Sequence, residues 1–179
     1  MNPFSANILI VIPNNQFDEG ELLPVLDILK KAGLRICVLS KSGRESKGML
    51  KTRLSPDGLL ADWDRPAYTS GKYHAVVVMG GRGASKSLWV DPLLPQILTD
   101  HHRAGKIVGA IGMGVAVLAR AGLLDGEAPG PDHPDFLEAL SQANVDYSRD
   151  RIIQENGVIT ASGSEAADEF ARTLIKALK

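Results

Sequence analysis

The chain has only one cysteine, Cys37, so no disulfide can close within it. Cys37 stands in Arg35-Ile36-Cys37-Val38-Leu39, an apolar strand-like run, and that setting implies a buried structural thiol. An excess of one charge sign is also missing. The 20 basic and 21 acidic residues give a formal net charge of -1, with no long block of either sign. This balance supplies no footprint for nucleic acid and no basic patch for a membrane surface. No apolar run is long enough to span a bilayer. The opening Met1-Asn2-Pro3-Phe4-Ser5-Ala6-Asn7 lacks the basic region of a secretory leader and reads as the approach to a first strand. These absences lead to the expectation of a cytoplasmic protein. Internal repeats and low-complexity segments are lacking too. With 44% hydrophobic and 23% charged residues over 179 positions, the chain suits one domain, residues 1–179, with a sizeable core.

Short buried-strand runs alternate with helical spacing. Ile8-Leu9-Ile10-Val11-Ile12 is a continuous apolar, mostly β-branched run, as expected of a central parallel strand covered on both faces. A helix follows from about Asp18 to Ala32, with acids at its start, Lys30 and Lys31 at its end and Gly33 as its stop. Pro24 inside it removes a hydrogen bond to the Gly20 carbonyl and should bend its first turns. Arg35–Leu39 is a second strand, and the polar stretch Ser40–Asp64 has room for a hairpin around Leu50–Leu54. Ala75–Met79 is another buried strand, and Asp91–His102 reads as a helix with Pro92 near its first turn. Lys106–Ile111 is the next strand, and the helix after it begins at Val115. Pro129-Gly130-Pro131 marks an excursion, and a short helix opens at His133-Pro134-Asp135. Asn156-Gly157 is a strong hairpin turn between Ile152–Glu155 and Val158–Ala161. Glu165–Lys179 closes the chain as an amphipathic helix, with Phe170, Leu174, Ile175 and Leu178 inward. This order predicts a mostly parallel sheet between helical layers, with ligands collecting at the carboxyl ends of the strands. The loops Asn14–Glu21, Gly80–Ser85 and Gly112–Val115 fall there.

Ala110-Ile111-Gly112-Met113-Gly114 has the spacing of a nucleophile elbow. Such a strand-to-helix turn is so tight that the residues two before and two after its apex must be small, as Ala110 and Gly114 are. The apex of an enzyme elbow is serine or cysteine. Gly112 supplies the geometry without a side chain that can attack anything. On spacing alone, Gly112 also fits an ordinary tight-turn glycine.

Four ordered motifs narrow the choice. They are Phe17-Asp18-Glu19-Gly20-Glu21 with Pro24; Val77-Val78-Met79-Gly80-Gly81-Arg82; the elbow followed by Leu118-Ala119-Arg120-Ala121-Gly122-Leu123-Leu124-Asp125-Gly126; and His133-Pro134 ahead of Asn156–Ser162. Together they resemble the ThiJ/PfpI superfamily, a relative of the class I glutamine amidotransferase domain, over nearly the whole chain. The resemblance implies a flavodoxin-like three-layer α/β sandwich and a homodimer. It implies that Gly112 stands where the family has its cysteine, and Met113 where protease-like members have histidine. It matches Glu21 to the glutamate that hydrogen-bonds the thiol, Asp18 to a nearby acid, Pro24 to the family proline, and Gly80 and Gly81 to an oxyanion-type loop. It places Ser85 at the supporting glutamate, His133 at the pocket rim and Ser162 where some members carry arginine. With thiol, histidine and supporting glutamate all replaced, the family's cysteine-dependent reactions have no nucleophile here.

Two uses remain for the frame. One is a non-catalytic member that binds a small molecule or partner through Asp18, Gly80, Gly81, Arg82, Gly112, Met113, Gly114 and His133. The other is a hydrolase or lyase for small carbonyl or amide compounds, with Glu21 as a general base beside backbone N–H donors. Glu21 fits that role if burial raises its pKa, and otherwise reads as an acid stabilised by the helix N-terminus. The helix start at Met113 and Gly114 offers an anion seat, which Glu21 would oppose. His101 and His102, which with His133 and Asp132 could suggest a metal site, end a helix where their adjacent side chains diverge and a cation suits the dipole, so no metal or cofactor is expected. Arg82 fits either a substrate anion or a surface ion pair. Trp63 and Trp89 read as core or interface residues.

Overall fold

The apolar runs become a seven-stranded sheet in a computed structural model that describes residues 5–179. Met1–Phe4, whose lack of a basic region is noted above, lies outside the described residues. Strand β1 (Asn7–Val11) sits near the middle, followed by α1 (Glu19–Lys31) and β2 (Arg35–Ser40). A small hairpin, β3 (Ser46–Lys47) with β4 (Arg53–Leu54), precedes β5 (Gly58–Leu59), β6 (Ala75–Val78), the short α2 (Ala84–Ser87) and α3 (Leu94–Arg103). Then come β7 (Ile107–Ile111), α4 (Val115–Arg120), β8 (Glu127–Pro129), α5 (Pro134–Gln142) and β9 (Asp146–Ser148). β10 (Ile152–Glu155), β11 (Val158–Ala161) and α6 (Ala167–Ala177) end the order.

The sheet runs β10-β11-β7-β6-β1-β2-β5. Every neighbouring pair is parallel except β10 with β11, the hairpin foretold by Asn156-Gly157. Side chains alternate across β1: Ile8 and Ile10 join Leu22, Val25 and Leu29 of α1 and Phe170 and Leu174 of α6 on one face. Leu9 and Val11 join Ile97 and Leu98 of α3, Val115 and Leu118 of α4 and Phe136 of α5 on the other. The result is the expected flavodoxin-like three-layer α/β architecture. No helix among the described residues is long and apolar enough to cross a membrane.

Several local expectations shift. Helix α1 starts at Glu19, with Asp18 as its N-cap and Pro24 inside it. Helix α3 starts at Leu94, not at Asp91, with Pro95 rather than Pro92 in its first turn. The reason is that the buried Asp91 carboxylate accepts from the N–H groups of Leu93 (2.9 Å) and Leu94 (2.8 Å), capping the helix from outside. The 46–54 hairpin lies earlier than expected, with Leu50 at its exposed tip rather than in a strand. Helix α6 begins at Ala167, after a 3₁₀ turn over Ser164–Ala166. Ile175 and Leu178 are only partly buried, while Phe170 and Leu174 are fully so. His101 is no cation at a helix end. It is fully buried, its Nδ1–H donates to the Ile97 carbonyl (2.7 Å), and its Nε2 accepts from the Tyr73 N–H (3.1 Å). That pair of bonds needs the neutral ring, and burial, the largest influence, lowers its pKa.

Candidate functional site

A cleft of about 840 Å³ opens at the carboxyl ends of β1, β6, β7 and β11. Asp18, Glu21, Gly81, Arg82, Gly112, Met113 and His133 all line it, so the predicted constellation assembles from distant parts of the sequence. Gly80 and Gly114 do not line it. Gly80 lies behind the wall, where a Cβ would come within 2.7 Å of both Glu21 carboxyl oxygens. Gly114 packs on the end of β6, where a Cβ would meet the carbonyl oxygens of Val78 at 2.6 Å and Met79 at 2.9 Å. Their smallness serves close approach rather than ligand contact.

The elbow itself is as tight as its spacing implies. β7 ends at Ile111, and residues Gly112–Gly114 form a single 3₁₀ turn before α4. Gly112 adopts φ +58°, a left-handed conformation that L side chains rarely take. Trp89 braces the turn: its indole N–H donates to the Met113 carbonyl at 2.8 Å. Trp63 packs partly buried against the core beside Tyr73 and His101. Gly81, at φ +107°, lies so close to the first loop that a Cβ would meet the Gln16 carbonyl oxygen at 2.2 Å and the Asp18 nitrogen at 2.6 Å. The acid-bearing loop and the Gly-Gly loop are thereby held against each other.

Glu21 is the centre of this site. It is 3% exposed, and its carboxyl reaches the apex: a Cβ on Gly112 would lie 2.3 Å from Oε1 and 2.7 Å from Oε2. Oε2 is buried and has no hydrogen-bond partner in the structure. Burial first, and then the negative charges of Asp18 and Glu165, push its pKa well above the ordinary carboxyl range. Of the two settings weighed for Glu21, burial against the elbow therefore dominates over stabilisation by the helix start. Asp18 is differently employed, since its Oδ1 accepts from the Gly20 N–H (2.8 Å) and caps α1.

Glu19, two residues earlier, has the opposite state. Burial works to raise its pKa, but backbone N–H groups of Thr52, Glu19 and Leu50, with the Thr52 hydroxyl, outweigh it and hold the carboxyl below its usual range. Its Oε2 accepts from Leu50 N–H (2.7 Å) and Thr52 N–H (3.3 Å), clamping the hairpin onto the start of α1. The Met49 N–H donates to the Phe17 carbonyl (2.9 Å), and Met49 forms part of the cleft wall.

Of two further walls the sequence reading placed only His133 and Ser162. One is built by Gly130–His133 with Tyr147–Arg149, brought together by the parallel pairing of β8 with β9. The other is Ser162–Glu165, at the carboxyl end of β11. The strand-end rule could have found the second, because Val158–Ala161 was already read as a strand. Ser162 Oγ donates to Glu165 Oε1, and the Arg151 guanidinium donates to the Glu165 carbonyl. His133 sits at the rim as N-cap of α5, its Nδ1 accepting from the Asp135 N–H (3.2 Å). Arg82, Lys86 and Arg149 add exposed cations to the walls. Ser85 also lines the cleft, its Oγ donating to the Arg82 carbonyl (3.3 Å). Among the described residues no three His, Cys, Asp or Glu side chains gather as metal ligands. Cys37 is buried on β2, its pKa pushed up to about 11 by burial above all, with Asp57 adding and a hydrogen bond to Tyr73 opposing.

With this geometry in view, comparison with known proteins is decisive for the family. The DJ-1/PfpI family pattern matches residues 6–177. The chain belongs to the DJ-1/PfpI family. Within it, the chain is 29% identical to an uncharacterised protein of Methanocaldococcus jannaschii, covering 99% of this chain and 85% of that one. It is 26% identical to a glutathione-independent glyoxalase of Caenorhabditis elegans, covering 96% and 88%. Among solved structures, a ThiJ/PfpI domain protein from Brachyspira murdochii superimposes with a TM-score of 0.86 at 24% identity, covering 98% and 97%. Drosophila melanogaster DJ-1beta superimposes with a TM-score of 0.82 at 26% identity, covering 98% and 91%.

Proposed function

We propose that this DJ-1/PfpI protein is a non-catalytic member that holds a small molecule in the cleft above Gly112. The observation that carries the reading is the apex. Gly112 has no side chain, and the Glu21 carboxyl fills the volume where a nucleophile would begin. Covalent catalysis needs an activated nucleophile beside its base, and the one thiol in the sequence is a buried group on β2 with a raised pKa. A cleft with a fixed floor and several polar walls suits binding without turnover.

A second reading, an enzyme acting on small carbonyl or amide compounds, rests on Glu21. Burial raises the Glu21 pKa well above the ordinary carboxyl range, and a carboxyl so shifted can serve as a general acid or base. The glyoxalase among the relatives makes methylglyoxal the first substrate to try. Methylglyoxal loss and generic ester and amide hydrolysis are to be compared in wild type and Glu21→Ala. Equal, background-level rates are expected. Turnover that disappears in Glu21→Ala overturns the non-catalytic reading. We further propose that the chain works as a homodimer. Leu23 on α1 and Leu50 on the hairpin tip leave large apolar side chains exposed, at 41% and 80%, and sedimentation tests the assembly.

A further inference from the structure

We propose that the ligand is a small carboxylate, one oxygen of which accepts from the Glu21 carboxyl beside the bare Cα of Gly112. This rests on the binding reading above and names the chemistry of its ligand. The first support is the orphaned atom. Glu21 is 97% buried, lines the cleft, and leaves Oε2 without a partner. A buried carboxyl with an unpartnered oxygen is costly to maintain, so a group that completes its hydrogen bonding gains affinity.

The second support is what surrounds the carboxyl. β6 and β7 present only glycine to it, at Gly80 and Gly112. The charges that act on it most are those of Asp18, from the loop before α1, and Glu165, from the turn after β11. Among the described residues no cation forms an ion pair with it, so the neutral, O–H-bearing form is the one this environment favours. A protonated carboxyl donates one hydrogen bond, and the strongest small acceptor for it is another carboxylate, because O–H···O⁻ bonds are roughly twice as strong as neutral ones. Arg82, Lys86 and Arg149 on the walls form no ion pair among the described residues and offer an anion long-range attraction.

The test is a ¹H–¹⁵N NMR titration of the full chain with pyruvate, with pyruvamide as the neutral analogue and inorganic phosphate as a second anion. Pyruvate is expected to move the amides of Gly81, Gly112 and Met113, at least about tenfold more tightly than pyruvamide. Glu21→Ala should weaken pyruvate by about tenfold or more. Glu21→Gln keeps a donor and should stay within about threefold at pH 6, while abolishing the loss of affinity that wild type shows as Glu21 ionises. Every other titratable group is shared by the two proteins, so the Gln comparison isolates Glu21. An unchanged affinity in Glu21→Ala, or tighter binding of phosphate or pyruvamide at the same amides, overturns the carboxylate seat and leaves the binding reading standing. If none of the three probes moves those amides, the carboxylate seat fails and the binding reading weakens with it. Pyruvate consumed during the titration overturns the non-catalytic reading but leaves the seat intact.

Discussion

Placing a methyl group on the elbow apex tests directly whether Glu21 occupies it. In Gly112→Ala the new Cβ meets two separate costs. The first is backbone strain at φ +58°, about 1–2 kcal/mol for an L residue in the left-handed region. The second is overlap with the Glu21 carboxyl, 2.3 Å away at Oε1 and 3.0 Å at Cδ, well inside contact distance. The carboxyl must withdraw from its pocket, an overpacking cost of about 1–3 kcal/mol. Wild type should therefore lose roughly 2–5 kcal/mol on Gly112→Ala, whereas a Glu21→Ala background should lose only the roughly 1–2 kcal/mol of strain. For a chain of this size each kcal/mol lowers Tm by about 2–4 °C. The cycle should thus show a coupling of about 1–3 kcal/mol between positions 21 and 112 in thermal or urea unfolding. Equal losses in the two backgrounds, within about 0.5 kcal/mol, would refute the argument that the carboxyl stands in the apex volume.

Two further predictions concern titration. The folded pKa of Glu21 lies above the unfolded value of 4.5, so its contribution to stability is full below about pH 4.5 and is lost as pH rises through the raised value. Glu21→Gln should match wild type in acid and gain on it toward pH 8–9, by about 1.4 kcal/mol per unit of pKa difference; urea unfolding with a gap flat across pH would contradict this. For His101 the sign reverses, because a lowered pKa supplies stability above the unfolded 6.5 that is lost as pH falls. His101→Phe should cost about 1–3 kcal/mol at pH 8 by orphaning the Tyr73 N–H, and should flatten the stability profile between pH 7 and 5. An unchanged slope between those values would remove His101 from the account.

What could be read from the chain follows the range of the interactions involved. Ile8–Ile12, Ala75–Met79 and Lys106–Ile111 declare buried strands because both of their faces are apolar. The Asn156-Gly157 hairpin declares itself because its turn chemistry is local. The parallel pair β8 and β9 has three residues in each strand and Pro129 in one of them, so no periodicity announces it. Its partners are separated by the whole of α5, and with them went the far wall of the cleft. The start of α3 was misread because Asp91 caps it from three residues away, while Pro92 mimics a first-turn proline. His101 was misread as an exposed helix-end cation because its two partners, Ile97 and Tyr73, include one that only the fold supplies.

Glu19 and Glu21 show where sequence reasoning stops and geometry must take over. They are the same residue type, two positions apart, in the first turn of one helix, and the helix dipole treats them nearly alike. The 100° advance per residue sends them in nearly opposite directions. Glu19 turns toward the 46–54 hairpin, whose backbone N–H groups satisfy an anion. Glu21 turns toward Gly80 and Gly112, which have no side chains to offer and admit the carboxyl only because they have none. One glutamate is therefore a clamp that backbone N–H groups hold toward its charged form, and the other a carboxyl that burial and neighbouring acids push toward its neutral form. The difference comes from what the hairpin, β6 and β7 bring to each. If that account holds, exchanging the surroundings rather than the glutamates should exchange the behaviour. A donor side chain introduced at Gly112 should lower the Glu21 pKa, as the hairpin amides lower that of Glu19, at the cost of the strain already assigned to that apex.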